Sequence, residues 1–212
     1  MISPRTLLIL FSVVGLVLLW QTRAPTISIA LDSQGRPLMC RPPGMQAAAM
    51  PMQNDQLALE PFRLDQHRIT PRAAFALQAT VLGTERYRFG RGAEISPLDL
   101  ALGWGRMARP DIYNALDVSQ SGRWYRYRWG AEGPPIPHEE IISSSSNMHM
   151  IPATAEVAQA LLNITPGQRV SLAGWLVDVD TDEGLRWRTS LRRDDSGDGA
   201  CEIVYVCEVS EL

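Results

Sequence analysis

Gly167-Gln-Arg-Val-Ser-Leu-Ala-Gly-Trp-Leu-Val-Asp-Val179 reads as a β-strand: it is rich in branched and aromatic residues, and Val170, Leu172, Gly174 and Leu176 fall on one face. Asp180-Thr-Asp-Glu-Gly184 is a turn, and residues 185–191 continue as a second strand. Another turn over 194–199 leads into Cys201-Glu-Ile-Val-Tyr-Val-Cys207 and on to residue 209, completing a three-strand meander. Upstream, residues 75–87 (FALQATVLGTERY) and 123–129 (RWYRYRW) supply two further strands. Five strands suffice for a small closed barrel of OB-like or SH3-like type. The helices are short. Ser96-Pro-Leu-Asp99 carries an N-cap, a proline at N1 and an acid at N3, which predicts a helix over 98–107. Residues 110–116 form a second helical turn, and Thr154 caps a helix to about Asn163 with Val157, Leu161 and Leu162 on one face. The expected fold class is α+β, mostly β: a small barrel with short helices, after an N-terminal transmembrane helix.

That helix is read from residues 7–20, an apolar run of fourteen without a charge, bracketed by Arg5 and Arg23. Fourteen is the length of a signal-peptide core; counted over 2–21 the segment reaches the roughly 20 residues a spanning helix needs. Thr22 and Ala24 are small enough for a cleavage site, but Pro25 directly after the cut blocks processing. Residues 1–24 are therefore read as an uncleaved anchor that meets the membrane through residues 6–21; a cleaved signal is the alternative. The amine and Arg5 keep the N-terminus inside. This gives a single-pass inner-membrane protein with its C-terminal domain in the periplasm. Residues 25–72 contain Arg41-Pro-Pro-Gly-Met-Gln-Ala-Ala-Ala-Met-Pro-Met52, with breakers and no sustained period, and read as a tether. The β-rich domain is assigned to 73–212.

Composition narrows the function classes. The chain has 20 arginines, no lysine and a net charge of −3. Charge is uneven: residues 63–128 carry 11 Arg and 6 acids, and residues 131–212 carry 5 Arg and 14 acids. A nucleic-acid binder shows a net basic domain, so no nucleic-acid partner is expected. No cofactor fingerprint or complete metal motif is present, and no cofactor or metal is assigned. Of the three cysteines, Cys201 and Cys207 lie on one strand, about 20 Å apart, too far to bridge. A disulfide, permitted by an oxidising compartment, joins Cys40 to one of them; three free thiols are the alternative.

Three stretches could carry chemistry. Arg123–Trp129 alternates Arg123, Tyr125, Tyr127 and Trp129 on one face with Trp124, Arg126 and Arg128 on the other. Arginine interleaved with aromatics grips sugars, phosphates and single strands, although any half-buried strand alternates. His138-Glu-Glu-Ile-Ile-Ser-Ser-Ser-Ser-Asn-Met-His-Met150 gathers two histidines, two carboxylates and four serines. Here His138 or His149 is a candidate base, Glu139 or Glu140 its orienter, and a serine or water the nucleophile of an envelope hydrolase; a polar loop is the plainer reading. Met39, Met45, Met50, Met52, Met148 and Met150, with His149, offer soft ligands for Cu(I), though ordinary methionine usage explains them equally. Asp178, Asp180 and Asp182 mimic the start of a Ca²⁺ loop that lacks its closing glutamate, and a hairpin turn accounts for them.

Ser96-Pro-Leu-Asp-Leu-Ala-Leu-Gly-Trp-Gly105, Ser119-Gln-Ser-Gly-Arg-Trp-Tyr125, Asn147-Met-His-Met-Ile-Pro-Ala153 and Ser190-Leu-Arg-Arg-Asp-Asp-Ser-Gly-Asp-Gly-Ala-Cys-Glu202 together resemble an uncharacterised family of small bacterial proteins with an N-terminal anchor. The resemblance spans most of 75–207 and implies no activity. It points to Ser119, Gln120, Arg123, Trp124, Asn147, His149, Arg192 and Asp195 as ligand-binding candidates.

The reading that follows is a membrane-anchored periplasmic binding or accessory module of the cell envelope, taking a protein partner or an anionic glycan. Replacing Arg123 and Trp124 is expected to abolish binding without unfolding the domain.

Overall fold

A computed structural model describes residues 27–56, 59–90, 92–181, 184, 186–197 and 199–212. The anchor assigned to 1–24, with its membrane contact at 6–21, lies outside the described residues. Among the described residues no helix is long and apolar enough to cross a membrane.

The chain is mostly β with a few short helices. Its strands are β1 (Ala30–Leu31), β2 (Met52–Asn54), β3 (Phe62–Leu64), β4 (His67–Arg86), β5 (Leu98–Gly103), β6 (Leu116–Ser121), β7 (Trp124–Trp129), β8 (Ser145–Pro152), β9 (Arg169–Thr181), β10 (Arg186–Trp187) and β11 (Glu202–Glu211). The helices are a 3₁₀ turn at Gly105–Ala108, then α1 (Pro110–Tyr113), α2 (His138–Ser143) and α3 (Ala155–Asn163). Thr154 caps α3 as expected, its hydroxyl accepting from Val157 N at 3.3 Å.

The principal path is β4-β5-β8-β11-β9. β4 pairs with β9 over His67–Thr80 and with β5 over Thr80–Arg86. Register shifts after Pro71 and Val81 bend this strand, and Pro71 sits at the first of them, where a missing N–H is tolerated. β8 and β11 are parallel; the other pairs on the path are antiparallel. Gly174 lies between Phe75 on β4 and Val206 on β11, and a Cβ there would come 2.1 Å from Tyr205 O, so the strands approach this closely only over glycine.

Four expectations need correction. The helix predicted over 98–107 is strand β5 followed by the 3₁₀ turn. All six β5 residues are buried between β4 and β8. Burial on both faces outweighs an N-cap signal of about 1 kcal/mol. The RWYRYRW strand lies off the principal path; among the described residues β7 pairs only with β6, in a two-stranded hairpin. Its alternation holds for half-buried Tyr125 and Tyr127, while Trp129 is exposed. The strand expected at 185–191 shrinks to β10, and β11 pairs directly with β9. Finally, the stretch read as a tether carries β1, β2, β3 and the start of β4, so folded structure begins well before residue 73. Ala30, Phe62, Leu64 and Ile69 are buried against Trp175, Val177, Val179 and Tyr205. β2 and β3, of three residues each, are too short to show a period, which is why the sequence concealed them.

Three apolar clusters hold the fold. One face of the principal sheet buries Phe75, Leu77, Leu98, Leu100, Met148, Leu172 and Val204. The opposite face has two: the N-terminal strands over Trp175 and Tyr205, and α1, α2 and the β6–β7 hairpin over Leu82 and Ala101. Cys40 is bonded to Cys207 with Cα atoms 5.2 Å apart, tying the N-terminal layer to β11; Cys201 is free.

Candidate functional site

A polar cluster interrupts the face that carries the second and third clusters. Strand alternation sends Leu98, Leu100, Met148 and Met150 to the first cluster, and Asp99, Asn147 and His149 to the other side. Asp99 stands opposite His149 in the β5–β8 register, and Ala101 opposite Asn147. The Asp99 carboxylate is fully buried. Arg123 Nη1 donates to its Oδ1 at 2.7 Å, and Asn147 Nδ2 donates to Oδ2 at 3.1 Å. His149 Nδ1 lies 2.8 Å from Oδ1 but off the line of a full hydrogen bond. Gln120 Nε2 extends the network by donating to Asn147 Oδ1 at 2.7 Å.

Arg123 reaches this cluster from the β6–β7 turn. Gly122 and Arg123 have φ of 59° and 73°, the pair of positive values required in a two-residue turn of mirror type. Glycine takes such a value freely; for arginine it costs on the order of 1 kcal/mol. The surroundings hold it there. Arg123 N donates to Tyr87 Oη at 2.9 Å, its guanidinium stacks 3.7 Å over the Tyr87 ring, and Nη2 donates to Ser96 O at 2.8 Å. Burial, reinforced by the Asp99 charge, pushes the Tyr87 hydroxyl up to about 12, so it remains a phenol.

The cluster opens into a cavity of about 350 Å³, lined by Arg123, Trp124, His149, Arg186, Trp187 and Arg188, with Cys201 beside them. The Trp187 ring lies 4.5 Å from His149 and 5.3 Å from the Arg123 guanidinium. Arg188 donates to Asp180 at 2.6 Å, whereas exposed Arg186 forms no ion pair among the described residues. Burial first, then the charges of Glu202 and Asp99, push the Cys201 thiol up to about 12, so it stays protonated at neutral pH.

Of the candidate residues singled out in the sequence, Gln120, Arg123, Asn147 and His149 come together around Asp99, and Trp124 joins them at the cavity. Ser119, Arg192 and Asp195 do not enter this network. Ser119 is exposed on β6, Arg192 pairs with Asp194 at 2.9 Å, and Asp195 accepts from Ser190 Oγ at 2.6 Å. Asp99, Tyr87, Arg186 and Trp187 were not anticipated. Asp99 was assigned to a helix terminus, although it is the lone polar residue of Leu98-Asp-Leu-Ala-Leu102.

The other candidate groups fall elsewhere. Exposed His138 contacts Tyr127 Oη at 3.1 Å and packs against Trp129. Glu140 is paired with Arg106, and among the described residues neither Glu139 nor Glu140 bonds to a histidine. Met148 and Met150 are in the core, on the opposite side of β8 from His149; Met39, Met50 and Met52 are exposed, and Met45 is half-buried. Among the described residues no group of three His, Cys, Asp or Glu is placed to hold a metal. Asp178 is buried and accepts from Arg72 at 2.9 Å and from Thr189 N at 3.1 Å, a structural role.

One more buried carboxyl has a measurable consequence. Glu202 is 1% exposed, with Arg193 and the Ser146 hydroxyl against it. Burial pushes it up to about 7, and the opposing pull of Arg193 does not overcome that. The folded state thus binds a proton that the unfolded chain releases at the ordinary glutamate value. This stability is present at low pH and is lost as pH rises to about 7. At about 1.4 kcal/mol per pH unit the loss is about 3 kcal/mol. Urea unfolding at pH 5 and pH 8 is expected to show that decline in the wild type, and a much flatter one in E202Q; equal slopes would contradict it.

No family model, curated protein or solved structure matches this chain. The site therefore rests on its own geometry.

Proposed function

We propose that this chain is a membrane-anchored periplasmic accessory module of the cell envelope whose β-domain, an OB-like barrel, binds an anionic glycan in the Arg123–Trp187 cavity. The observation that carries the reading is the lining of that cavity: two tryptophans, Trp124 and Trp187, converge with Arg186, Arg188 and His149. Aromatic faces hold sugar rings, and guanidinium forks hold carboxylate, sulfate or phosphate. A volume of about 350 Å³ suits a small ligand or a glycan end better than a flat protein surface.

The barrel reading is supported by the path β4-β5-β8-β11-β9 and the additional pairing of β9 with β4. β5 and β8 are then the second and third strands. In OB folds the face of those strands, with the loops beside it, takes oligosaccharides and oligonucleotides. The periplasmic location is supported by the apolar run at 7–20 and by the Cys40–Cys207 bond, which persists in an oxidising compartment.

The test is titration of the detergent-solubilised full chain with tetragalacturonate and with neutral maltotetraose, read by tryptophan fluorescence. A saturable response to the acidic sugar alone is expected, weakened at least tenfold in W124A and in R186A. An equal response to both sugars, or to neither, contradicts the proposal.

A further inference from the structure

We propose that the same cavity hydrolyses an acyl ester carried on the bound glycan, with His149 as general base and water as nucleophile. The substrate class rests on the glycan-binding reading; the chemistry rests on the histidine. The His149 side chain is 3% exposed and lines the cavity. Asp99 stands 2.8 Å from Nδ1. The negative carboxylate at that distance draws the ring proton to Nδ1, which leaves the lone pair on Nε2. Nε2 makes no hydrogen bond among the described residues, so this nearly sealed ring keeps its basic nitrogen for whatever enters the cavity. Trp187, 4.5 Å away, limits rotation of the ring. An open basic nitrogen in a cavity, with a buried carboxylate behind the ring, is an arrangement of catalytic sites.

Magnitude selects the bond. One positioned base contributes roughly 10²–10⁴-fold, enough for an ester and far too little for a glycosidic or phosphodiester bond. Glycoside hydrolysis also needs two carboxyl groups flanking the bond, and Asp99 is sealed behind Arg123, Asn147 and His149. In the proposed step Nε2 takes a proton from water as its oxygen attacks the acyl carbon. The carbonyl π pair moves to oxygen, where Arg186 supplies a positive charge. Collapse breaks the bond to the alcohol oxygen, which receives the proton from Nε2. Ester and water become acid and alcohol, with nothing oxidised or reduced. Cys201 remains a spectator thiol.

The test is p-nitrophenyl acetate hydrolysis by the full chain. The wild type is expected to exceed an equal concentration of free imidazole by about 100-fold or more. H149Q should fall to the imidazole level. H149A should regain hydrolysis when imidazole is added, a rescue that a purely structural histidine does not give. Asp99 acts as a positioning residue, and D99N should lower kcat at unchanged KM. A wild-type rate no higher than imidazole, or an H149Q rate equal to wild type, overturns the proposal. Glycan binding without hydrolysis removes only this inference; hydrolysis without tetragalacturonate binding removes only the glycan reading.

Discussion

Arg123→Ala is expected to lower the unfolding free energy by about 3–5 kcal/mol, because it strands a carboxylate in the interior. Asp99 has no exposed surface, and the Arg123 side chain that neutralises it is 21% exposed. Without the guanidinium, Asp99 keeps Asn147 Nδ2, an imperfectly aligned His149 and the neutral Tyr87 hydroxyl, none of them a full positive charge in line with it. The Ser96 carbonyl and the Tyr87 ring lose their partner as well. This corrects the expectation that Arg123 can be replaced without cost to the fold: it holds the site together, whereas Trp124, 39% exposed, is the residue to remove when binding alone is tested. A second variant separates side chain from backbone. Arg123→Gly loses the same ion pair but relieves the positive φ of 73°, so it should be more stable than R123A by roughly 1 kcal/mol. Urea unfolding measures both, and a loss below about 1 kcal/mol for R123A would contradict the structural role given to this ion pair.

Loss of the Cys40–Cys207 bond is expected to cost about 2–5 kcal/mol. The bond joins residues separated by 167 positions, near the upper end of what loop closure gives, about 5 kcal/mol in the chain-entropy account. It also fixes a layer. Leu38, Cys40 and Met45 pack on the cluster around Trp175 and Tyr205, and Trp175 Nε1 donates to Arg41 O at 3.3 Å. Wild type in reductant and the C40S/C207S double variant should share a lowered Tm, and reductant should not change the variant further. An unchanged Tm in either would contradict the role given to this bond.

How much of this was written legibly in the sequence depends on reach. β9 and β11 declared themselves by composition and alternation, and α3 by Thr154 and its apolar face. Their signals are local. β5 was misread because Ser96-Pro-Leu-Asp99 is a genuine local start signal, overruled by β4 and β8 arriving from distant parts of the chain. That one error hid Asp99, since an acid at a helix terminus needs no partner and an acid inside a strand does. Gln120 and Arg123 lie well before Asn147 and His149 in the chain, and only the pairing of β5 with β8 and the turn at Gly122 gather them around one carboxylate. Trp187 and Arg186 arrive on a two-residue strand that has no signature of its own.

The central claim is that the Arg123–Trp187 cavity takes an anionic glycan in the envelope. The most direct measurement replaces Trp124 with a photo-crosslinking phenylalanine in living cells and identifies by mass spectrometry what becomes attached to the chain. The account predicts an acidic carbohydrate, captured at position 124 and absent when the probe stands at exposed Met39, a position outside the cavity lining. A single envelope protein captured at position 124, or the same products from both positions, would contradict it.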